Sequence, residues 1–369
     1  MTHVFVAPHP DDVALSCGGL IASLRELGQN VAILTVFSGM GPSGAGGSGT
    51  GGSGALTPYQ REALGFGSKA VWPNTEAFNR ANIANDFPAP GPGQQAPWLA
   101  EPVRLDATQA DADASARRFW QRASWYRRAD IHDRAQAGQP LMDDLSQQGA
   151  VLTDELVAAR AAGDVMAERR LEDERYAAFA EASIVFLDLA DAVFRGYEGD
   201  EQLLDRPRDD DPPPVDLLRR EIARLEPQKV YLPLGVGGHV DHRLMREVGI
   251  ALLGEARRWV MPGPEYAGLV TFYEDFPYAY WDEFARLEEL PEGALAGLPT
   301  DVALTPEYAD IADQVERKIR GIALYESQIE RLFGGVDAMA DAVRIQGARI
   351  GRLGGTAGMA ERYWATSLL

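Results

Sequence analysis

The chain is poor in several residue types, and each shortage excludes something. It has one cysteine in 369 residues, so Cys17 rules out an internal disulfide framework and a multi-cysteine zinc site. Lysine occurs only at Lys69, Lys229 and Lys318, and arginine supplies nearly all the positive charge. With 35 basic against 55 acidic residues, the formal net charge is −20. That balance argues against nucleic acid or an anionic membrane surface as a partner, because both select basic patches. No apolar run approaches the ~18 residues that a membrane span needs. The N-terminal "MTHVFVAPHPDD" leads straight into a strand-like run, without a basic segment and cleavage site, so the expectation is a soluble cytoplasmic protein.

What the chain does have is apolar mass and a regular alternation. Hydrophobic residues make up 46%, ample for the core of one large or two ordinary domains. "HVFVAP" (3–8) reads as a strand, and "DVALSCGGLIASLREL" (12–27) carries Leu20, Leu24 and Leu27 at helical spacing before Gly28. "NVAILTVFSG" (30–39) is the nearly continuous apolar run of a strand buried on both faces. This βαβ unit predicts a Rossmann-like α/β fold, a mostly parallel sheet with helices on both faces. Further strands are expected at 183–189, 229–235 and 268–276, and helices at 165–182, 215–225, 241–259 and 308–333.

Between Met40 and about Asp164 the alternation dissolves. "GPSGAGGSGTGGSGA" (41–55) is a low-complexity glycine/serine stretch, and "NDFPAPGPGQQAPW" (85–98) reads as loop. The expected organisation is therefore a single domain over 1–369, interrupted by an insertion at about 41–164. A helical lid is expected within 100–160, with Trp120, Trp125 and Tyr126 on its inner face or in an oligomer contact. A homo-oligomer is left open. The aspartate run in "DRPRDDDPPPVD" (205–216) reads as a solvated turn and helix start.

Chemistry concentrates at two strand-to-helix junctions. "PHPDD" places His9, Asp11 and Asp12 at the carboxyl end of the first strand, where open parallel sheets bind ligands. "GVGGHVDH" places His239 and His242 three residues apart at the start of a later helix. Either junction has a plain structural reading, with an aspartate capping the helix or a histidine beside a glycine turn. Three of the five histidines nevertheless fall in these two short junctions, and two junctions of one parallel sheet open onto the same edge. Imidazole and carboxylate are ligands for borderline metals such as Zn²⁺, and a catalytic site keeps an open position. The pair thus supplies a three-ligand set with acid/base groups to spare.

"PHPDD" followed by "CGG", with a later "GGHVDH", resembles the LmbE/PIG-L family of zinc-dependent N-deacetylases. The resemblance covers about 1–40 and 165–369, and Val13 stands where the family usually has glutamate. It implies that His9, Asp12 and His242 hold one divalent ion, Zn²⁺ or alternatively Fe²⁺. It implies Asp11 as general base and His239 as the group stabilising the oxyanion, written as an imidazolium. The implied reaction removes an acetyl group from an N-acetylated amino sugar or glycoconjugate. Asp241 is expected either to orient a ligand imidazole or to sit at the surface.

Substrate contacts are expected from Arg169, Asp191, Tyr273 and Asp275, with Glu172, Glu274 and Tyr278 as companions. Each of them also has a structural reading, as solvated face, helix cap or core. Two further readings stay open: the same metal site cleaving another amide, such as a thiol-glycoside conjugate, and a non-catalytic Rossmann-like binding protein. Against the latter, the first junction lacks G-x-G-x-x-G.

Overall fold

The computed structural model describes residues 2–41, 59–60, 155–162, 164–259, 269–281, 296–356 and 358–369. The proposed glycine/serine stretch and the Trp120, Trp125 and Tyr126 face lie outside these residues. The first crossover unit is β1 (Thr2–Ala7), α1 (Asp12–Glu26) and β2 (Asn30–Thr35), with Gly28 at φ 71° turning the chain. It continues through α2 (Val165–Ala180), β3 (Ser183–Phe186), α3 (Val215–Arg224), β4 (Lys229–Pro233), α4 (Val240–Trp259) and β5 (Val270–Tyr273). The C-terminal part is β6 (Val302–Asp310), α5 (Val315–Ile322), α6 (Glu326–Phe333), α7 (Val336–Leu353) and β7 (Ala360–Leu368).

The seven strands among the described residues form one sheet in the order β3-β2-β1-β4-β5-β7-β6. β1 to β5 are mutually parallel, and β7 runs antiparallel to both β5 and β6. The expected mostly parallel α/β sheet is thus what forms. Side chains alternate across it as the strand period of two requires. Phe5, Ala7, Val31 and Ile33 pack with Ile21, Phe179 and Ile319 on one face. Val4, Val6, Ala32 and Leu34 pack with Leu218, Leu244 and Val248 on the other. Helices therefore cover both faces.

The single helix expected over 308–333 does not form. Tyr308 to Asp310 belong to the edge strand β6, and the remainder breaks into α5 and α6 around Leu324–Tyr325. The break seats the buried Tyr325 hydroxyl against Asp173 Oδ1 at 2.6 Å, and the start of α6 puts Ser327 against Glu172. α7 and β7 have no counterpart among the sequence expectations.

Glu361 of β7 reaches across to α1. Its carboxylate accepts from the backbone N–H groups of Gly19 and Leu20 at 2.9 Å, from Lys318 Nζ at 2.7 Å and from the Tyr363 hydroxyl at 2.7 Å. A Cβ on Gly19 would come within 2.5 Å of Ile311 and 2.9 Å of this carboxylate, so only glycine admits the approach.

Candidate metal centre

β1 and β4 are adjacent and parallel, so their carboxyl ends bring the two junctions together. The ring centroids of His9 and His239 lie 4.9 Å apart, and those of His9 and His242 5.4 Å apart. Three glycines, Gly235, Gly237 and Gly238, take positive φ in the turn that delivers His239. Asp11 sits at the N-terminus of α1 with φ 107° and makes no capping hydrogen bond. Backbone strain of this kind in a non-glycine residue collects at functional sites, and the capping explanation for Asp11 fails.

The two aspartates diverge. Asp12 lies between the imidazoles, with Oδ2 3.3 Å from His9 Nδ1 and Oδ1 3.4 Å from His242 Nε2. Its Oδ2 also accepts from the His9 backbone N–H at 2.7 Å. Asp11 turns instead towards Arg169 Nη2, 3.7 Å away. The far nitrogen of each imidazole meets a buried carboxylate. His9 Nε2 is 2.9 Å from Asp241 Oδ2, and His242 Nδ1 is 2.6 Å from Asp275 Oδ1. Such partners fix the tautomer and orientation of metal-binding histidines. They leave His9 Nδ1 and His242 Nε2 free to ligate beside Asp12.

The donor set suits a zinc ion, which takes imidazole nitrogen and carboxylate oxygen: His9 Nδ1 lies 3.3 Å from Asp12 Oδ2 and His242 Nε2 3.4 Å from Asp12 Oδ1. The local field also favours positive charge. Burial alone would lower His9, but hydrogen bonds to Asp12 and Asp241 and the Asp191 charge raise it to about 9. His242 is likewise raised against burial by Asp12 and Asp275. Burial opposes the charged form of Asp12, yet His242 and His9 hold it well below the usual carboxylate range. A divalent ion would replace the protons that gather here. His9, His239 and His242 also offer nitrogens within 4.8 Å of one another, as do the side-chain atoms of His9, Asp191 and Asp241.

Burial, partly offset by Arg169 and reinforced by Asp12, raises Asp11 to about 7. His239 is pushed well below its ordinary range by burial and by the positive charge of His9 and His242. This disfavours the imidazolium expected at this position. The ring's Nδ1 accepts from the Asp241 backbone N–H at 3.2 Å, which leaves Nε2 as the N–H donor.

These groups line a cleft of about 880 Å³, counting its open mouth. Arg169 and Asp191, for which substrate contacts are expected, both line it, 3.7 Å apart. Arg169 also donates to the Pro10 carbonyl at 3.2 Å. Tyr278 lines it too.

Tyr273 does not: it is fully buried and donates its hydroxyl to the Val6 carbonyl at 2.9 Å, so it is core. Nor does Asp275 face substrate, because its oxygens are taken by His242 and the Gly235 and Val236 N–H groups at 2.8 Å. Glu172 accepts from Ser327 and Arg160, and Glu274 from Arg362 and Trp364. Asp241 is fully buried, which removes the surface alternative. Cys17 is fully buried in the core.

Sequence reasoning missed Trp281, Gln328, Arg331 and Leu332, which line the cleft from the 3₁₀ turn after β5 and from α6. Gln328, Arg331 and Leu332 fall inside the single helix expected over 308–333, to which no face was assigned.

Residues 4–65, which hold the first of the two junctions, match the family model described as PIG-L: GlcNAc-PI de-N-acetylase, in line with the resemblance. A 2'-N-acetylparomamine deacetylase from Streptomyces fradiae is 34% identical over 176 residues, covering 46% of this chain and 57% of that enzyme. Solved structures of a teicoplanin deacetylase in a zinc-inhibited form and of a deacetylase–teicoplanin complex are each 17% identical. Each match covers 100% of this chain and 99% of that one, at a TM-score of 0.50; this likeness shows the fold. No helix among the described residues is long and apolar enough to cross a membrane.

Proposed function

We propose that this chain is a zinc-dependent N-deacetylase that hydrolyses the acetamide of an N-acetylated amino sugar or glycoconjugate. The observation that carries the reading is Asp12 set between His9 Nδ1 and His242 Nε2, with a carboxylate behind each imidazole. The PIG-L match and the deacetylase relative support the same chemistry.

His9, Asp12 and His242 would hold the ion, which when bound would lower the pKa of water from ~15.7 towards ~7 and polarise a carbonyl. Asp11 takes the proton from the attacking water and returns it to the departing amine, which must be protonated to leave. His239 points its Nε2–H at the oxygen where negative charge develops, a contribution commonly worth a few kcal/mol. Arg169 and Asp191 offer a donor fork and an acceptor for sugar hydroxyls at the cleft wall.

The segment 41–164 would select substrate rather than perform chemistry. In support, Tyr59 packs on the group that includes Val193 and Leu203, both of which line the cleft, and Gln60 donates to the Val193 carbonyl at 3.3 Å.

The test is acetate release from N-acetylglucosamine conjugates with defined aglycones, incubated with zinc-loaded protein. Acetate and free amine are expected in equal amounts. A zinc-loaded protein that releases neither from any conjugate overturns the proposal.

A further inference from the structure

We infer that Asp211, Arg195 and Asp241 form a positioning relay that sets how tightly His9 holds the metal. The inference rests on the metal reading of His9, Asp12 and His242.

The middle member is Arg195, whose side chain is only 16% exposed. Its Nε and Nη2 lie 3.0 Å from Asp211 Oδ2, and Nη2 also pairs with Asp241 Oδ1. Its Nη1 donates to the Ala190 carbonyl at 2.5 Å, and the guanidinium lies over the Phe37 ring, 4.6 Å from its centroid. A guanidinium is a rigid planar fork. One held on every side presents its remaining N–H in a fixed direction, and here that direction is Asp241.

Asp241 transmits the constraint. Oδ1 is taken by Arg195, while Oδ2 accepts from the Ala192 backbone N–H at 3.1 Å and from His9 Nε2 at 2.9 Å. The carboxylate cannot rotate without breaking one of these bonds. His9 therefore donates from Nε2 and keeps the Nδ1 lone pair facing Asp12. Without Arg195, one backbone N–H alone would orient the carboxylate on this side, and the ring would lose its fixed direction.

Asp211 anchors the outer end. It belongs to the aspartate run read as a solvated turn, and that reading fits Asp209 and Asp210, which are exposed. Asp211 is turned inward and also accepts from the Tyr197 hydroxyl at 3.0 Å, which in turn accepts from the Arg208 backbone N–H at 3.0 Å. A loop well along the chain from His9 thus grips the metal ligand through two side chains.

The test reads zinc affinity directly, by competition with a chromophoric chelator on the full chain. The variants are Arg195→Met, Arg195→Lys, Asp211→Asn and, as control, Asp209→Asn, with the metal-free melting temperature of each recorded alongside. Arg195→Met should weaken zinc binding by ~10–100-fold, the range for partners one step behind a metal ligand. Arg195→Lys restores charge but not the fork, so it and Asp211→Asn should fall between Arg195→Met and wild type. Asp209→Asn should match wild type. Lower melting temperatures with unchanged zinc affinity would make the network merely structural and overturn the relay. If Arg195→Met does not fold, Asp211→Asn decides, and unchanged affinity there is equally fatal. Wild-type protein that takes up no zinc would overturn the metal reading itself, whereas tight wild-type binding with unaffected variants would sink the relay alone.

Discussion

Asp11→Asn should inactivate the protein and, in its metal-free form, stabilise it. The substitution keeps the size and a hydrogen-bonding group but removes the proton acceptor. A general base is worth ~10²–10⁴ in rate, about 3–5.5 kcal/mol of barrier. Zinc should stay bound, because Asp11 faces Arg169 while Asp12 faces the imidazoles.

The stability effect follows from burial. Asp11 is raised from 3.8 to about 7, chiefly by loss of water. Between those values the folded metal-free chain binds more protons than the unfolded one. Stability therefore falls as pH rises from about 4 to about 7 and is level above that. Three units correspond to at most about 4 kcal/mol, which the asparagine variant escapes at pH 8. With an unfolding entropy of ~2.1 cal/mol/K per residue over 369 residues, that is about 5 °C in melting temperature. The assay pairs metal-free melting at pH 8 and pH 5 with kcat and zinc content at pH 8. The variant should melt higher than wild type at pH 8, with the gain shrinking at pH 5. A variant that keeps kcat, or loses its zinc, or melts lower at pH 8 would refute the reasoning.

Three further outcomes are expected. His9→Ala and His242→Ala each remove one of three ligands and should lose most zinc under mild chelation, measured by metal analysis after desalting; full occupancy in both would remove the ligand assignment. Asp275→Asn weakens the carboxylate behind His242, so zinc affinity should drop by ~10–100-fold in the same chelator competition, and no change would make Asp275 a turn residue only. Tyr273→Phe breaks the hydroxyl bond to the Val6 carbonyl inside the core, which should cost about 0.5–1.5 kcal/mol in denaturant unfolding and leave KM within twofold; a large rise in KM would return Tyr273 to the substrate site.

The parts of the fold legible in the sequence are those where both sheet faces are covered. β1, β2 and β4 are short apolar runs because all but their first one or two side chains are buried, and Gly28 and the Gly235–Gly238 turn mark where the chain must reverse. The two metal junctions were legible for the same reason, since each follows such a strand directly. β6 was not. It is an edge strand containing Pro306 and Glu307, with several exposed positions, and it has no apolar run to betray it. Pairing of Tyr308 with Arg362 and of Ala309 with Glu361 draws residues 308–310 into the sheet. Local pattern cannot foresee that pairing, because its partner lies about fifty residues later. The roles of Asp275 and Arg195 were hidden likewise: Asp275 acts on His242 directly and Arg195 on His9 through Asp241, partners that only the fold brings near. For Asp275 one signal was available, its place just beyond the carboxyl end of β5, beside β4.

The clasp between Glu361 and α1 has a consequence for the order of events during synthesis. Asp11 and Asp12 are made early, and the helix they begin receives its brace only when Glu361 emerges, 349 residues after Asp12. At ~5–20 residues per second that interval is roughly 17–70 s. Through it, the nascent chain carries two of its acidic site residues on a helix that lacks the Glu361 carboxylate at Gly19 and Leu20. The brace comes from β7, the last strand of the sheet to be made.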